Sequence, residues 1–452
     1  MNVPSRSMAV RTAAAVRHSA RKAWMSGPMS DARSRFEVVV VGAGPAGLAA
    51  AAAAAECGRR TLVLDATPWL GGQIWRGREA KGGPGSAKRW LARLQAAGAA
   101  VARRTTVVAA PGPGVLLAES PEGPLEIGWE KLILTIGARE LFLPFPGWTL
   151  PRVVGIGGLQ VLVKGGWPLA GKRIVIAGSG PLLFAAAAEY RAAGADVALI
   201  AEQTDRARLV RFGLSLPGLA PGKILQAAKY QAALIGVPYR MGSWAVSAQG
   251  ADRLEGVTLR SARRTWTERC DVLATGFGFL PNLELPRLLG CRTENGAAVV
   301  DDRQESSQAG IFIAGEPTGI GGEGRALVEG LIAGFAAAGR PELAGRLRRK
   351  RRRAVAFSRA MDRAFALRDE VRNLASPETL ICRCEDVTRR DLEKFGDWRA
   401  AKLQTRCGMG PCQGRICGGA VEKLFGWDAA SNRPPVFPVS IGTLRGPDPG
   451  PV

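Results

Sequence analysis

The stretch from Phe36 to Asp65 constrains the fold more than any other. Four consecutive valines, Val38 to Val41, predict a strand buried on both faces. They run into Gly42-Ala43-Gly44-Pro45-Ala46-Gly47 and then into an alanine-rich segment that reads as a helix. Strand, glycine loop and helix open a βαβ unit whose helix N-terminus faces an anion. Gly42 makes the tight turn, Gly44 lets backbone approach a pyrophosphate, and Gly47 lets helix and strand pack closely, with Pro45 and Ala46 starting the helix. Asp65 closes the next apolar strand, Thr61 to Leu64, at the roughly 20-residue distance where a carboxylate meets a ribose hydroxyl. A glycine turn without a ligand would not need all of these parts in this order.

The pattern recurs. Ile174 to Ala177 lead into Gly178-Ser179-Gly180-Pro181-Leu182-Leu183, and Glu202 closes the following strand. Leu183 stands where the third glycine would be and holds helix and strand apart. At this second site ATP, NAD and no nucleotide at all are open readings. Around the first loop, Gly71-Gly72-Gln73 forms a glycine pair able to come near a cofactor, and Lys131 to Ile136 is a buried strand ending at Gly137. Asp271 to Gly276 reads as a further apolar strand with which the chain returns to the first sheet. Gly310 to Ala314 reads as another, ending at Gly315-Glu316, before a helix from about Glu323 that can point its N-terminus at a flavin. The fold class is therefore α/β, with two nested Rossmann-like dinucleotide-binding folds, the second inserted into the first.

Composition excludes several function classes. The net charge of +23 suggests nucleic acid, but no nucleic-acid motif accompanies it. Much of the excess sits in the N-terminal tail and in Arg346 to Arg353, read as a solvated face of a helical connector whose apolar face is Ala354, Phe357, Met361, Ala364, Val371 and Leu374. The tail resembles a transit peptide in composition, or else precedes the true start at Met25 or Met29; we favour the second reading and expect disorder there. It contains the only histidine, His18, so no histidine acid, base or ligand serves the folded body. No apolar run is long enough to span a bilayer. A cytoplasmic protein, in contact with a membrane at most peripherally, is expected.

Five of the eight cysteines lie between Cys382 and Cys417. Cys382 and Cys384 form a C-x-C pair, followed by a helix with a capping box at Thr388 and Asp391. Cys407, Cys412 and Cys417 follow among glycines. Four thiolates from two such loops suit a [2Fe–2S] cluster, with glycine N–H groups free to bond the sulfurs. Zinc is the competing metal, but structural zinc sites favour C-x-x-C pairs. Cys382, Cys384, Cys412 and Cys417 are assigned as ligands, with Cys407 the spare that could exchange with Cys417. Cys57 stands alone beside the first helix, so disulfide reductase chemistry is not expected.

Gly42 to Gly47, Gly71-Gly72-Gln73, Gly178 to Pro181, Cys382-Arg383-Cys384-Glu385 and Cys407 to Cys417 together resemble the flavin and iron–sulfur subunit of heteromeric amino-acid dehydrogenases. This family holds flavin-binding subunits of opine oxidase, with kin in D-hydroxyproline dehydrogenase, hydrogen cyanide synthase and, as its alpha subunit, sarcosine oxidase. The resemblance covers Phe36 to about Leu444. It implies FAD held by Gly42, Gly44, Gly47 and Asp65, approached by Gly137 and Gly315, with Glu316 where an aspartate often meets the ribityl chain. It also implies a bacterioferritin-associated-ferredoxin-like cluster and, in some complexes, an FMN at the interface between subunits.

The implied partner is a catalytic flavoprotein of the D-amino-acid-oxidase type. That partner would oxidise a C–N bond of an amino acid, imino acid or opine, leaving this chain without catalytic residues of its own. The expected division is a basic tail over 1–35, the FAD fold over 36–150 and 268–340, and the second fold over 151–267. A connector over 341–377, the cluster domain over 378–426 and a tail over 427–452 complete it. A self-contained NAD(P)H-dependent reductase is the alternative, and a non-catalytic assembly protein with a structural cluster is the third reading.

Overall fold

The computed structural model describes residues 33–76, 85–428 and 433–447. The tail expected before Phe36 lies outside them up to residue 32. Strand β1 (Arg33–Val41) starts three residues earlier than expected, because Arg33 to Phe36 pair with Glu126 to Trp129. Helix α1 (Pro45–Glu56) follows the glycine loop and leads to β2 (Thr61–Asp65), with Val38 beside Thr61 and Val41 beside Leu64 in parallel register. Helix α2 (Gly85–Ala96) and β3 (Ala100–Arg103) extend this sheet on one side. On the other lie β4 (Thr106–Gly112), β5 (Val115–Ser120) and β6 (Gly123–Leu134). The long β6 pairs antiparallel with β5, and along β1 it runs parallel.

Two short strands carry the chain across to the second fold and back. These are β7 (Ala138–Glu140) and, much later, β16 (Phe279–Pro281), which pair antiparallel. The second fold begins with β8 (Val153–Gly155), α3 (Ile156–Lys164), β9 (Arg173–Gly178), α4 (Leu182–Ala192) and β10 (Asp196–Glu202). It continues through α5 (Arg206–Leu219), α6 (Gly222–Ala233) and β11 (Tyr239–Met241). An antiparallel meander, β12 (Ser243–Gln249), β13 (Gly256–Ser261) and β14 (Thr265–Arg269), then feeds β15 (Val272–Gly276).

Strand β15 corrects the sequence reading. It lies between β9 and β8 in the second sheet, with Thr275 beside Ala177 and Gly155, and does not rejoin the first. All five of its residues are buried, so its sequence suits either parallel sheet. The return is made by β17 (Ile311–Ile313), which pairs parallel with the end of β6.

Helix α7 (Gly322–Ala337) packs on α1 at very short range. A side chain at Gly330 would overlap the carbonyl of Ala46, and a Cβ at Gly334 would come 2.8 Å from that of Ala53. Helix α8 (Gly345–Ala364) is the connector, burying Phe357, Ala360 and Ala364. Its basic run is only partly a solvated face. Arg349, Lys350, Arg352 and Arg353 are exposed, but Arg351 turns inward to Glu329 at 3.5 Å and Asp302 at 3.3 Å.

The cysteine-bearing unit has its own small core of Ile381, Val387, Leu392, Trp398, Ala401 and Val421. Thr388 and Asp391 form the expected capping box, and α9 (Trp398–Thr405) and α10 (Cys417–Phe425) complete the unit. It rests on the crossing strands: a Cβ at Gly419 would meet Leu280 and Leu141, and Trp148 donates its indole N–H to the carbonyl of Leu380 at 2.7 Å. Among the described residues no helix is long and apolar enough to cross a membrane.

Candidate functional site

The first glycine loop is held open by its neighbours. Gly42 turns with φ +101°, and Thr135 donates its hydroxyl to the carbonyls of Gly42 at 2.8 Å and Val41 at 3.0 Å. Thr135 was not legible as a loop residue, because its position beside Gly42 depends on which strand pairs with β1. Asp65 accepts the N–H of Ala43 at 2.6 Å through one oxygen and those of the Thr67 backbone and hydroxyl, both at 2.7 Å, through the other. It thus ties the end of β2 to the loop. No side chain caps α1 and no acid occupies its first turn, so the N–H groups beyond Gly44 and Pro45 face outward unpaired by the helix.

The glycine pair and the later loop converge on the same point. A Cβ at Gly72 would lie 3.1 Å from the Cα of Gly44, and one at Gly315 would lie 3.0 Å from the Cβ of Ala46. In front of Gly44 and of Gly137 there is no atom within 4 Å. Gln73 is exposed at this rim and accepts from Arg76 at 3.0 Å. This uncapped helix start between bare backbone walls fits the pyrophosphate of a dinucleotide. The Gly315 N–H is fixed by Glu329, at 3.0 Å, a fully buried carboxylate that also takes Arg325 at 2.8 Å and the Thr318 hydroxyl at 2.7 Å.

Glu316, expected beside a ribityl chain, makes hydrogen bonds within the chain. Its longer side chain folds back to accept the N–H groups of Gly322 at 2.8 Å and Gly321 at 3.3 Å, at the start of α7. It serves the helix N-terminus, with burial raising its pKa.

Glu140, on the crossing strand, likewise accepts the N–H groups of Gly157 at 2.8 Å and Gly158 at 3.2 Å at the start of α3. Burial raises its pKa above the ordinary 4.5, against the pull of those N–H bonds. Its contribution to stability is then fully present below pH 4.5 and is lost as pH rises through the raised value. The Glu140→Gln variant, which cannot ionise, should show a flatter decline of Tm above that pH in thermal melts; an unchanged slope would contradict this.

The five clustered cysteines divide into an inner three and an outer two. The sulfurs of Cys382, Cys407 and Cys417 lie within 4.8 Å of one another, all buried. Cys384 and Cys412 hydrogen-bond each other, and the Cys412 N–H also donates to Cys384. Cys407, expected as the spare, therefore stands inside the constellation. Spacing along the chain carries no information about which sulfurs meet. The thiols of Cys407 and Cys417, with N–H groups of Gly408 and Glu385, donate to Cys382 and hold it down to about 2. Cys407 is pushed up to about 12, chiefly as the donor in that bond. Four sulfurs drawn from this inner trio and outer pair, with backbone N–H donors beside them, fit an iron–sulfur centre.

At Cys382, Cys384, Cys412 and Cys417 opens a cavity of about 440 Å³, lined also by Phe142, Trp148, Leu162, Ile416 and Arg383. Cys57, at the end of α1, is a free cysteine with no second cysteine close to it in sequence.

Residues 36–344 match the family model of pyridine nucleotide-disulphide oxidoreductases. An opine oxidase subunit of Rhizobium meliloti (strain 1021) is 34% identical over 91% of this chain and 98% of its own length. The chain belongs to this family, in the opine oxidase branch. The HcnB component of hydrogen cyanide synthase from Pseudomonas protegens is 33% identical over 84% of this chain and 90% of its own. Members of the branch are subunits of flavin oxidoreductases, and this chain is an FAD-dependent oxidoreductase with the electron-transfer role of a flavoprotein.

Among solved structures, L-proline dehydrogenase from P. horikoshii superposes with a TM-score of 0.65, 18% identity and coverage of 91% of this chain and 80% of that one. Thioredoxin reductase of T. acidophilum gives 0.52 at 19% identity, covering 68% of this chain and 98% of the other. Both likenesses show the fold.

Proposed function

We propose that this chain is the electron-transfer subunit of a heteromeric dehydrogenase acting on the C–N bond of an amino acid, imino acid or opine. The observation that supports this most is the seating of the cysteine unit against the strands that join the two nucleotide folds, with Cys382, Cys384, Cys412 and Cys417 lining one cavity. FAD would be held by the loop Gly42 to Gly47, with Gly72, Gln73, Asp65, Gly137 and Gly315 around it. Cys382 and Cys417 on the inner side and Cys384 and Cys412 on the outer would hold a [2Fe–2S] cluster, with Cys407 able to stand in for Cys417.

When bound, the two groups supply one- and two-electron transfer. The chain's residues supply position. Asp65 and Thr135 fix the glycine loop, Glu329 fixes Gly315, and N–H groups of Gly408, Glu385 and Cys412 bond the sulfurs. The cavity at Cys384 is apolar except for Arg383, and suits a shared FMN or an apolar element of a D-amino-acid-oxidase-like partner.

The test is anaerobic purification of the chain alone and with its catalytic partner, each mixed with a panel of amino acids and opines. Flavin bleaching and a [2Fe–2S] EPR signal are expected with one substrate in the complex and with none in the isolated chain. Substrate oxidation by the isolated chain would overturn the assignment.

A further inference from the structure

The second nucleotide fold has the loop, helix and acid of a dinucleotide site, yet the chain itself fills its mouth. After α8 the backbone passes across the ends of β9 and β10. Ser179 donates its hydroxyl to the carbonyl of Phe365 at 3.0 Å. Gln203 donates its amide to Ser179 Oγ at 2.9 Å and to the carbonyl of Ala366 at 3.2 Å. Arg368 returns two bonds to Gln203, from its backbone N–H to Oε1 at 3.1 Å and from its guanidinium to the carbonyl at 2.7 Å. The Phe365 ring packs edge-on against Phe212 with centroids 5.2 Å apart.

Glu202 is tied to its own loop much as Asp65 is to the first. One oxygen of Glu202 accepts the Gly180 N–H at 2.8 Å and the other the Thr204 N–H at 2.9 Å. Glu202, Gln203 and Thr204 have no exposed surface. The contrast between the two loops is direct. Nothing lies within 4 Å in front of Gly44, whereas the Phe365 ring stands 3.9 Å from where a Cβ of Gly180 would be.

We infer that Phe365 to Arg368 occupies the adenosine side of the second nucleotide fold, which serves as a mooring for the connector and is closed to NADH, NADPH and ATP. A nucleotide entering there would have to break the bonds of Ser179, Gln203 and Arg368 to the connector and draw Phe365 off Phe212. Those bonds are partly buried, and leaving their polar partners unpaired carries a cost. Beyond the connector lies the cysteine unit, so the mooring also sets where that unit sits. Electrons then enter by a route other than a nicotinamide on this fold. The inference stands on the second fold alone and survives if the substrate class proposed above is wrong.

The test uses the purified flavin-loaded chain with and without its partner. Calorimetric titration with NADH, NADPH and ATP is expected to show no binding tighter than about 1 mM. Amide exchange is expected to show residues 365–368 protected. In the Gln203→Ala, Arg368→Ala double variant, exchange over 365–368 should rise at least tenfold while flavin content, the check on folding, holds. Nucleotide binding to the wild-type chain with a Kd below about 1 mM overturns the closure. Unprotected amides at 365–368 in the wild type, or unchanged exchange in a folded double variant, overturn the mooring.

Discussion

Serine in place of Cys384 is expected to leave a protein that keeps its flavin and loses its iron. The outer sulfur pair has only Cys384 and Cys412, so no neighbouring thiol can replace either one. The inner site differs, because three sulfurs share it. Iron content and the EPR signal of the Cys384→Ser and Cys412→Ser proteins should fall well beyond the roughly tenfold loss that even outer-shell changes cause. Cys407→Ser should retain the signal. If Cys407→Ser were empty and Cys417→Ser loaded, the fourth ligand would be Cys407; if Cys384→Ser held a full cluster, the two-pair reading would fail. Zinc in place of iron in the freshly isolated anaerobic protein would do the same for the cluster.

The glycines of the first loop should separate cofactor binding from folding. Gly44 has an extended backbone at φ −71°, which any residue adopts, and empty space before it. Valine there should leave the flavin-free protein within about 1 kcal/mol of its parent, since only a helix cap is altered. FAD content should nevertheless collapse, because the new side chain fills the space proposed for the pyrophosphate. At Gly47 the expectation reverses. A Cβ there would overlap the carbonyl of Gly42 and come 2.6 Å from Thr135 Oγ, so even Gly47→Ala should destabilise by about 3 kcal/mol or more. Flavin absorbance and denaturant melts distinguish the two. Full FAD occupancy in Gly44→Val would place the cofactor elsewhere.

What could be read from the sequence was what local chemistry dictates. Gly42 and Gly47 are required by the loop's own geometry, Gly44 by the room a pyrophosphate takes, and the Thr388 and Asp391 capping box closes over four residues. Long-range choices were not readable. Val272 to Gly276 are apolar throughout, and such a strand carries no mark of which parallel sheet receives it. The inward place of Cys407 depends on the path of two loops. Glu316 was read for its acid, but the extra methylene lets it reach the N–H groups of α7. The covering of the second loop is made largely by backbone carbonyls, which every residue possesses.

The contact of α1 with α7 bears on how binding is felt by the whole molecule. Ala49 to Ala54 have no exposed surface, and across the gap Gly330 faces Ala46 while Gly334 faces Ala50 and Ala53. Alanine and glycine have no rotamers to lose, so this wall is ordered without the side-chain entropy cost of about 0.5–1 kcal/mol for each leucine or isoleucine it might have held. The scaffold behind the loop is thus already in its final state before a cofactor arrives. Little of the free energy of cofactor binding is then spent on ordering, and more of it is available as affinity.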